Sequence, residues 1–400
     1  MTARCVLVLA LLCLSVGYAC GATGWKPDRI MVTFWCPPPA TDEALARVAA
    51  EHYTMTWTPE DGLDVAASHG LRAMLQDPLL TPAALDDPAQ KVKLDALINR
   101  VRNHPALEAY FLRDEPSAGD FPALGRLVAY LRERDPAHLA YINLFPTYAN
   151  NEQLGTEGDT VPAYREHLRQ FIETVKPQLI SYDHYHFFKD QDGEQYFLNL
   201  AMIRDAAFGA ELPFLNIVQT STVVDAWRLP NARELRWLVY TTLAYGGRGI
   251  SYFTYWGPAS YNGLYKDGER TPLALDAAEL NAEIGVLSPE LMALDSLGAY
   301  HTAPLPLGAE AIPADAPVQI VGPGEFVLGL FGRGGRVTAF MLVNRDYRRA
   351  AVARVRLPAG TRGVQEFDRS LGQWWGYADG VETITVNLNP GDGRLFRLVR

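Results

Sequence analysis

The chain has 400 residues, 48% hydrophobic and 11% aromatic, enough to bury a large core and more than one compact domain usually holds. Its formal charge of -10 and the lack of any Lys/Arg cluster exclude a polyanion-binding surface, so no nucleic-acid partner is expected.

The N-terminus reads MTARCVLVLALLCLSVGYACGA: one arginine, an apolar run from Cys5 to Val16, then small residues. That is the pattern of an export signal over residues 1–22, and the run is shorter than the ~20 residues a membrane span needs. The mature protein is therefore expected to be exported, periplasmic or extracellular, with no membrane span. Cys20, after Gly17-Tyr18-Ala19, partly matches a bacterial lipoprotein site, which leaves a lipid tether through Cys20 as an open alternative. With Cys5 and Cys13 in the signal, Cys36 is the one cysteine certain to join the folded body, and it reads as a packing residue.

Eight short apolar runs then alternate with helical patterns: 30–36, 52–58, 71–77, 107–113, 139–145, 179–187, 213–221 and 249–256. This rhythm predicts a (β/α)8 barrel over residues 23–298. A doubly wound open sheet is the alternative, but no Gly-rich dinucleotide fingerprint follows the first strand. After the helical stretch 275–294 the pattern changes to short strands separated by Gly and Pro, which predicts an all-β sandwich over 299–400, with the proline-rich segment 300–317 as the joint.

Active sites of such barrels form where strands end and loops begin. The ends predicted here carry Trp35, Trp57, Gln76 with Asp77, Asp114 with Glu115, Asn143, Asp183-His184-Tyr185, Gln219, and Tyr255-Trp256. Aromatic rings are platforms for the apolar faces of sugars, amides bond hydroxyls, and paired carboxylates cleave glycosidic bonds. In YFLRDEP, the proline is expected to keep Glu115 extended, and strict alternation then puts Glu115 on one face with Ala109, Phe111 and Arg113, and Asp114 on the other. An Arg113 ion pair with Asp114 or Glu115 closing the rim is the structural alternative. His184 and His186 share a strand face, but no further ligand set accompanies them, so no metal and no cofactor is expected. Trp374-Trp375 in the sandwich reads as one buried and one half-exposed residue, with a sugar-binding patch as the rival.

The DEP motif, the YDHY of strand six and RWLVYTTLAYGGRGISYFTYW resemble barrel glycoside hydrolases of clan A over residues 100–260. The resemblance implies a carbohydrate substrate, Glu115 as general acid/base and Trp256 as a substrate platform. The chain departs from that pattern at strand seven, where the expected nucleophilic Glu is replaced by Gln219. Two routes are open. Asp183 supplies the second carboxylate, a route placed first because it demands no particular substrate; or Asp114 orients a substrate 2-acetamido group, as the Asp-Glu pair of glycoside hydrolase family 123 does. The large N-terminal β-domain usual in that family is missing from this sequence. Both routes require Glu115 to be protonated at working pH. The rival functions are a noncatalytic carbohydrate-binding barrel and a non-glycosidase hydrolase or lyase using His184; oligomeric state is not legible.

Overall fold

The structure is a computed structural model that describes residues 24–223, 226–257 and 261–400. The export-signal segment and Cys20 lie outside the described residues. No described helix is long and apolar enough to cross a membrane.

Among the described residues, eight parallel strands form one sheet: β1 (Met31–Phe34), β2 (Met55–Thr58), β3 (Arg72–Leu75), β4 (Leu107–Asp114), β5 (Leu139–Leu144), β6 (Ile180–His184), β7 (Phe214–Gln219) and β8 (Gly249–Phe253). They are hydrogen-bonded in the order β1-β8-β7-β6-β5-β4-β3-β2. Between β1 and β2 the barrel closes without a ladder: Thr54 N donates to Val32 O at 2.9 Å, and Val32 N donates to the Thr54 hydroxyl at 2.8 Å. The threonine side chain thus takes the place of a backbone acceptor.

Strand alternation sorts the side chains into two cores. Met31, Met55, Trp57, Met74, Ala109, Tyr141, Leu215 and Ile217 fill the barrel interior, with Trp35, Phe111 and Phe253 above them. Val32, Phe34, Tyr110, Ile142, Tyr182, Val218 and Tyr252 point outward to the helices. All eight predicted strands are present, and the fold is the expected barrel followed by a β-sandwich.

The sandwich pairs a six-stranded sheet with a three-stranded one. Its first strand, Asp295–His301, begins directly after the helix Pro272–Met292, so the second sheet starts before residue 299 and the segment from Tyr300 opens inside a strand rather than in a linker. Strands Phe326–Arg333 and Arg336–Asn344 are buried on both faces: Leu328, Leu330, Phe340 and Leu342 meet the small sheet, while Val327, Phe331, Ala339 and Met341 join the barrel's outer core. Gly329 permits the close approach, since a Cβ there would stand 2.4 Å from Ala244 O at the end of the barrel helix Ala232–Ala244.

Candidate active site

The C-terminal ends of β4, β5, β6 and β8 border a pocket of about 310 Å3. The pairing of β4 with β5 builds its acidic wall. Phe111 pairs with Tyr141, but Arg113, not Leu112, pairs with Ile142, so a bulge rephases the strand. Asp114 therefore turns inward beside Asn143, whereas Arg113 points to solvent. This corrects the strict alternation expected from sequence. Glu115 is not extended either: its φ is +43°, a left-handed value costly for a residue with a Cβ. Its N–H still continues the ladder, donating to Asn143 O at 2.9 Å. At Ser117 the next turn is fixed by a capping box with Asp120. Gly155, at φ +68°, lets the loop carrying Tyr148 and Gln153 pack against Ser117 and Ala118. Bulge and left-handed turn together bring consecutive carboxyls, Asp114 and Glu115, into one pocket.

Asn143 ties the site together. Its Nδ2 donates to Asp183 Oδ1 at 2.9 Å and to Asp114 Oδ1 at 3.1 Å. Its Oδ1 accepts from the Ser181 hydroxyl at 3.0 Å, which in turn is bonded to Tyr141 OH at 2.8 Å. Asp183, only 3% exposed, lines the same pocket as Glu115 and feels its charge. Burial, then the Glu115 charge, holds Asp183 well above the carboxylate range. Burial and the charge of Asp114 push Glu115 up to about 7 against the Asp183 hydrogen bond. Burial also raises Asp114, with Asn143 and Arg113 opposing; its carboxylate is hemmed by protein yet remains open to pocket water. The pocket lining contains no Lys, Arg or His. No group of three or more His, Cys, Asp or Glu among the described residues is arranged to hold a metal ion.

Aromatic rings supply the other wall: Trp35, Phe145, Tyr148, Tyr185, Trp227 and Phe253. Trp227 leans on Tyr185 at 4.3 Å between ring centroids, and Tyr185 lies 5.1 Å from Phe253.

Of the residues singled out from sequence, Trp35, Asp114, Glu115, Asn143, Asp183 and Tyr185 line this pocket. The rest lie elsewhere. Trp57 is one layer deeper, buried beneath Trp35 with ring centroids 4.7 Å apart. His184 points outward and its Nδ1 pairs with Asn199 Oδ1 at 2.9 Å. Gln219 is consumed by backbone, accepting from Phe187 N at 2.9 Å and donating to Phe187 O at 3.0 Å and Arg228 O at 2.9 Å. Tyr255 is buried and donates to Glu51 Oε2 at 2.8 Å. Trp256 stacks on Tyr265 at 5.6 Å beside a separate depression. Asp77 accepts from Leu79 N in its own loop. Sequence reasoning missed Phe145, Tyr148, Gln153, Trp227 and Phe253. Phe253 was legible, because it shares strand parity with inward-facing Ser251; Tyr148 in a turn, Gln153 on the four-residue helix Asn151–Leu154 and Trp227 in an isolated bridge to Phe188 lie outside the barrel strands, where no periodicity points inward.

No family model matches the sequence, and a search of curated proteins finds no match. Solved structures do share its architecture. A family 39 glycoside hydrolase from the gut symbiont Bacteroides cellulosilyticus aligns over 92% of this chain and 80% of its own, at 11% identity and TM-score 0.53. The alpha-galactosidase I of Mortierella vinacea aligns over 92% of this chain and 96% of its own, at 9% identity and TM-score 0.50. Identities of this size speak for a common fold.

Proposed function

We propose that the chain is an exported glycoside hydrolase, with Glu115 as general acid/base and Asp114 as the carboxylate that faces the sugar. The observation that carries this reading is the meeting of three carboxyls, without a cation, in an aromatic-walled pocket at the barrel's C-terminal rim. A glycosidase must keep one carboxyl protonated near neutrality to protonate the leaving oxygen, and Glu115 at about 7 has that property.

The geometry favours Asp114 over Asp183 as partner. Direct displacement needs the two carboxyls about 5 Å apart, and inversion about 6.5–9.5 Å, to accommodate sugar or water. Either route needs an ionised Asp183, and burial together with the Glu115 charge holds Asp183 above the ordinary carboxylate range. Asp114 is open to the pocket and is free to accept the N–H of a 2-acetamido group. In that sequence the acetamido oxygen attacks the anomeric carbon, the glycosidic C–O bond breaks, and the Glu115 proton leaves with the departing oxygen. Water then adds to the anomeric carbon, giving its proton to Glu115, and the cyclised intermediate reopens to the free sugar.

The test is Glu115→Gln assayed on aryl 2-acetamido glycosides of graded leaving-group pKa. Turnover of poor leaving groups should fall about 100- to 10,000-fold with the fold intact. The loss should shrink for leaving groups that need no proton. A folded variant with full activity refutes the assignment.

A further inference from the structure

Six strands face three across the sandwich, so the small sheet leaves part of the larger one uncovered. On the outermost strand, Gln373–Asp379, two adjacent tryptophans are used differently. Trp374 packs on Phe367 at 5.1 Å and lies under the Arg397 guanidinium at 4.5 Å. Trp375 is 52% exposed, a large apolar surface for a residue with no structural duty. It borders a groove of about 430 Å3 that also takes in the turn 368–370, Asn387, Asn389 and Asp392.

The polar groups of this groove fall into two sorts. Its arginines are spent on carboxylates, Arg369 holding Asp392 through two bonds of 2.9 and 3.0 Å and Arg394 holding Glu366, while the Asp368 carboxylate accepts from Ser370 N at 2.9 Å and Ser370 Oγ at 2.6 Å. The side-chain amides of exposed Asn387 and Asn389 make no hydrogen bond to any described residue. The groove thus offers an indole face, two amides that donate and accept and one carboxylate that accepts, with no unpaired cation. An anionic ligand would need a free cation, and a protein partner would need a broader apolar patch around the indole than these polar neighbours provide. A sugar ring has one apolar face and a rim of hydroxyls that both donate and accept, which is the complement of this surface. We infer that the groove is a second carbohydrate-binding site, separate from the barrel pocket, that holds a strand of neutral glycan across Trp375.

The experiment is affinity electrophoresis of the full chain and of Trp375→Ala in gels containing glucomannan, xyloglucan, laminarin or, as the anionic control, polygalacturonate. At least one neutral polysaccharide should retard the parent, and Trp375→Ala should weaken that binding about tenfold or more. Trp375→Phe should retain part of it, and Asn387→Ala with Asn389→Ala should reduce it by less than loss of the indole. Thermal melting should be unchanged in every variant, which keeps loss of binding apart from loss of fold. The readout is binding, so it stands whether or not the barrel proves to be a glycosidase. Retardation by none of the neutral polysaccharides, retention undiminished in Trp375→Ala, or stronger retardation by polygalacturonate overturns the inference. So does Trp375-dependent dimerisation in sedimentation, which would make the indole a contact between copies.

Discussion

Two groups of carboxylates in this chain, each wholly or partly withdrawn from water, are treated in opposite ways. Where the barrel helices meet the sandwich, Glu283 receives Arg236 through bonds of 2.7 and 2.9 Å and also Tyr240 OH at 2.7 Å, while Asp392 receives Arg369. Nearby, Asp192 is bonded to Arg228 at 2.8 Å and to Arg348 at 2.6 Å. Burial works to raise Glu283 and Asp192, but their arginine and tyrosine partners outweigh it, and both end below their ordinary values. At the pocket, burial works on Asp114, Glu115 and Asp183 in the same way, and the exposed Arg113 beside Asp114 and the Asn143 amide do not outweigh it; all three end raised. Carboxylates that hold the fold are neutralised by bonded arginines, whereas the three pocket carboxyls have no ion-pair partner among the described residues. Such uncompensated sites are where catalytic acids are found.

The largest expected effect tests the roles within the pocket. Asp114→Asn keeps the size of the side chain but removes the charge that faces the substrate, and should cost about 1,000-fold in kcat, near 4 kcal/mol of barrel-pocket catalysis. Asp183→Asn should cost far less, about tenfold, and shift the falling limb of the pH profile, since under the proposed function Asp183 acts through Glu115. If Asp183→Asn proves the crippling change and Asp114→Asn keeps its activity, Asp183 is the second carboxylate and the assisted route is wrong. Rapid turnover of 2-hydroxy glycosides would point the same way. The complementary change at the interface is Arg369→Met, which leaves Asp392 buried with only Arg236 at 3.3 Å to serve it. Loss of one partner of a buried pair costs about 3 kcal/mol in stability. Denaturant unfolding should show that loss, with activity per folded molecule unchanged; a drop in kcat would mean the two carboxylate groups are coupled.

How much of this was legible before the structure differs by residue. The barrel strands were plain from apolar runs and turn residues, and the DEP stretch lies, as expected, at the C-terminal end of β4. The acidic wall itself was misphased, because a bulge between Phe111 and Arg113 carries no composition signature and the proline after Glu115 argued for an extended residue where φ is positive. His184 and Tyr255 were drawn in by residue type although both point away from the barrel interior. Counting from Asp183, which shares its parity with Ser181 and Tyr185, would have excluded His184. Gln219 had the right strand end, but its amide is satisfied by loop backbone that sequence does not place. Trp375 was readable as half-exposed; the two unpaired amides beside it were not, since they come from a different strand and turn.

The smallest expected effect is on stability against pH, and there the two carboxylate groups have opposite signs. A carboxyl whose folded pKa is lowered, as for Glu283 and Asp192, contributes stability that is present above its unfolded pKa and lost as pH falls through the folded one, in acid below about pH 4. Glu115 runs the other way. Its folded value of about 7 lies above the unfolded value of ~4.3, so the native state binds the proton more tightly. Stability from this group is complete below about pH 4 and is lost as pH rises to 7, because the folded chain must then hold an unwelcome charge. The parent should therefore melt at a higher temperature at pH 5 than at pH 8, by an amount reflecting about 1 kcal/mol once solvent access to the pocket is allowed for. Glu115→Gln should flatten that slope while leaving the acid limb below pH 4 in place. The same titration should appear in kcat/KM of the parent as a fall above about pH 7, since the deprotonated enzyme has no acid to offer. A parent whose melting temperature climbs from pH 5 to pH 8, or a Glu115→Gln variant with the parent's slope, would show that the pocket carboxyls are compensated after all and would remove the electrostatic distinction between the two groups.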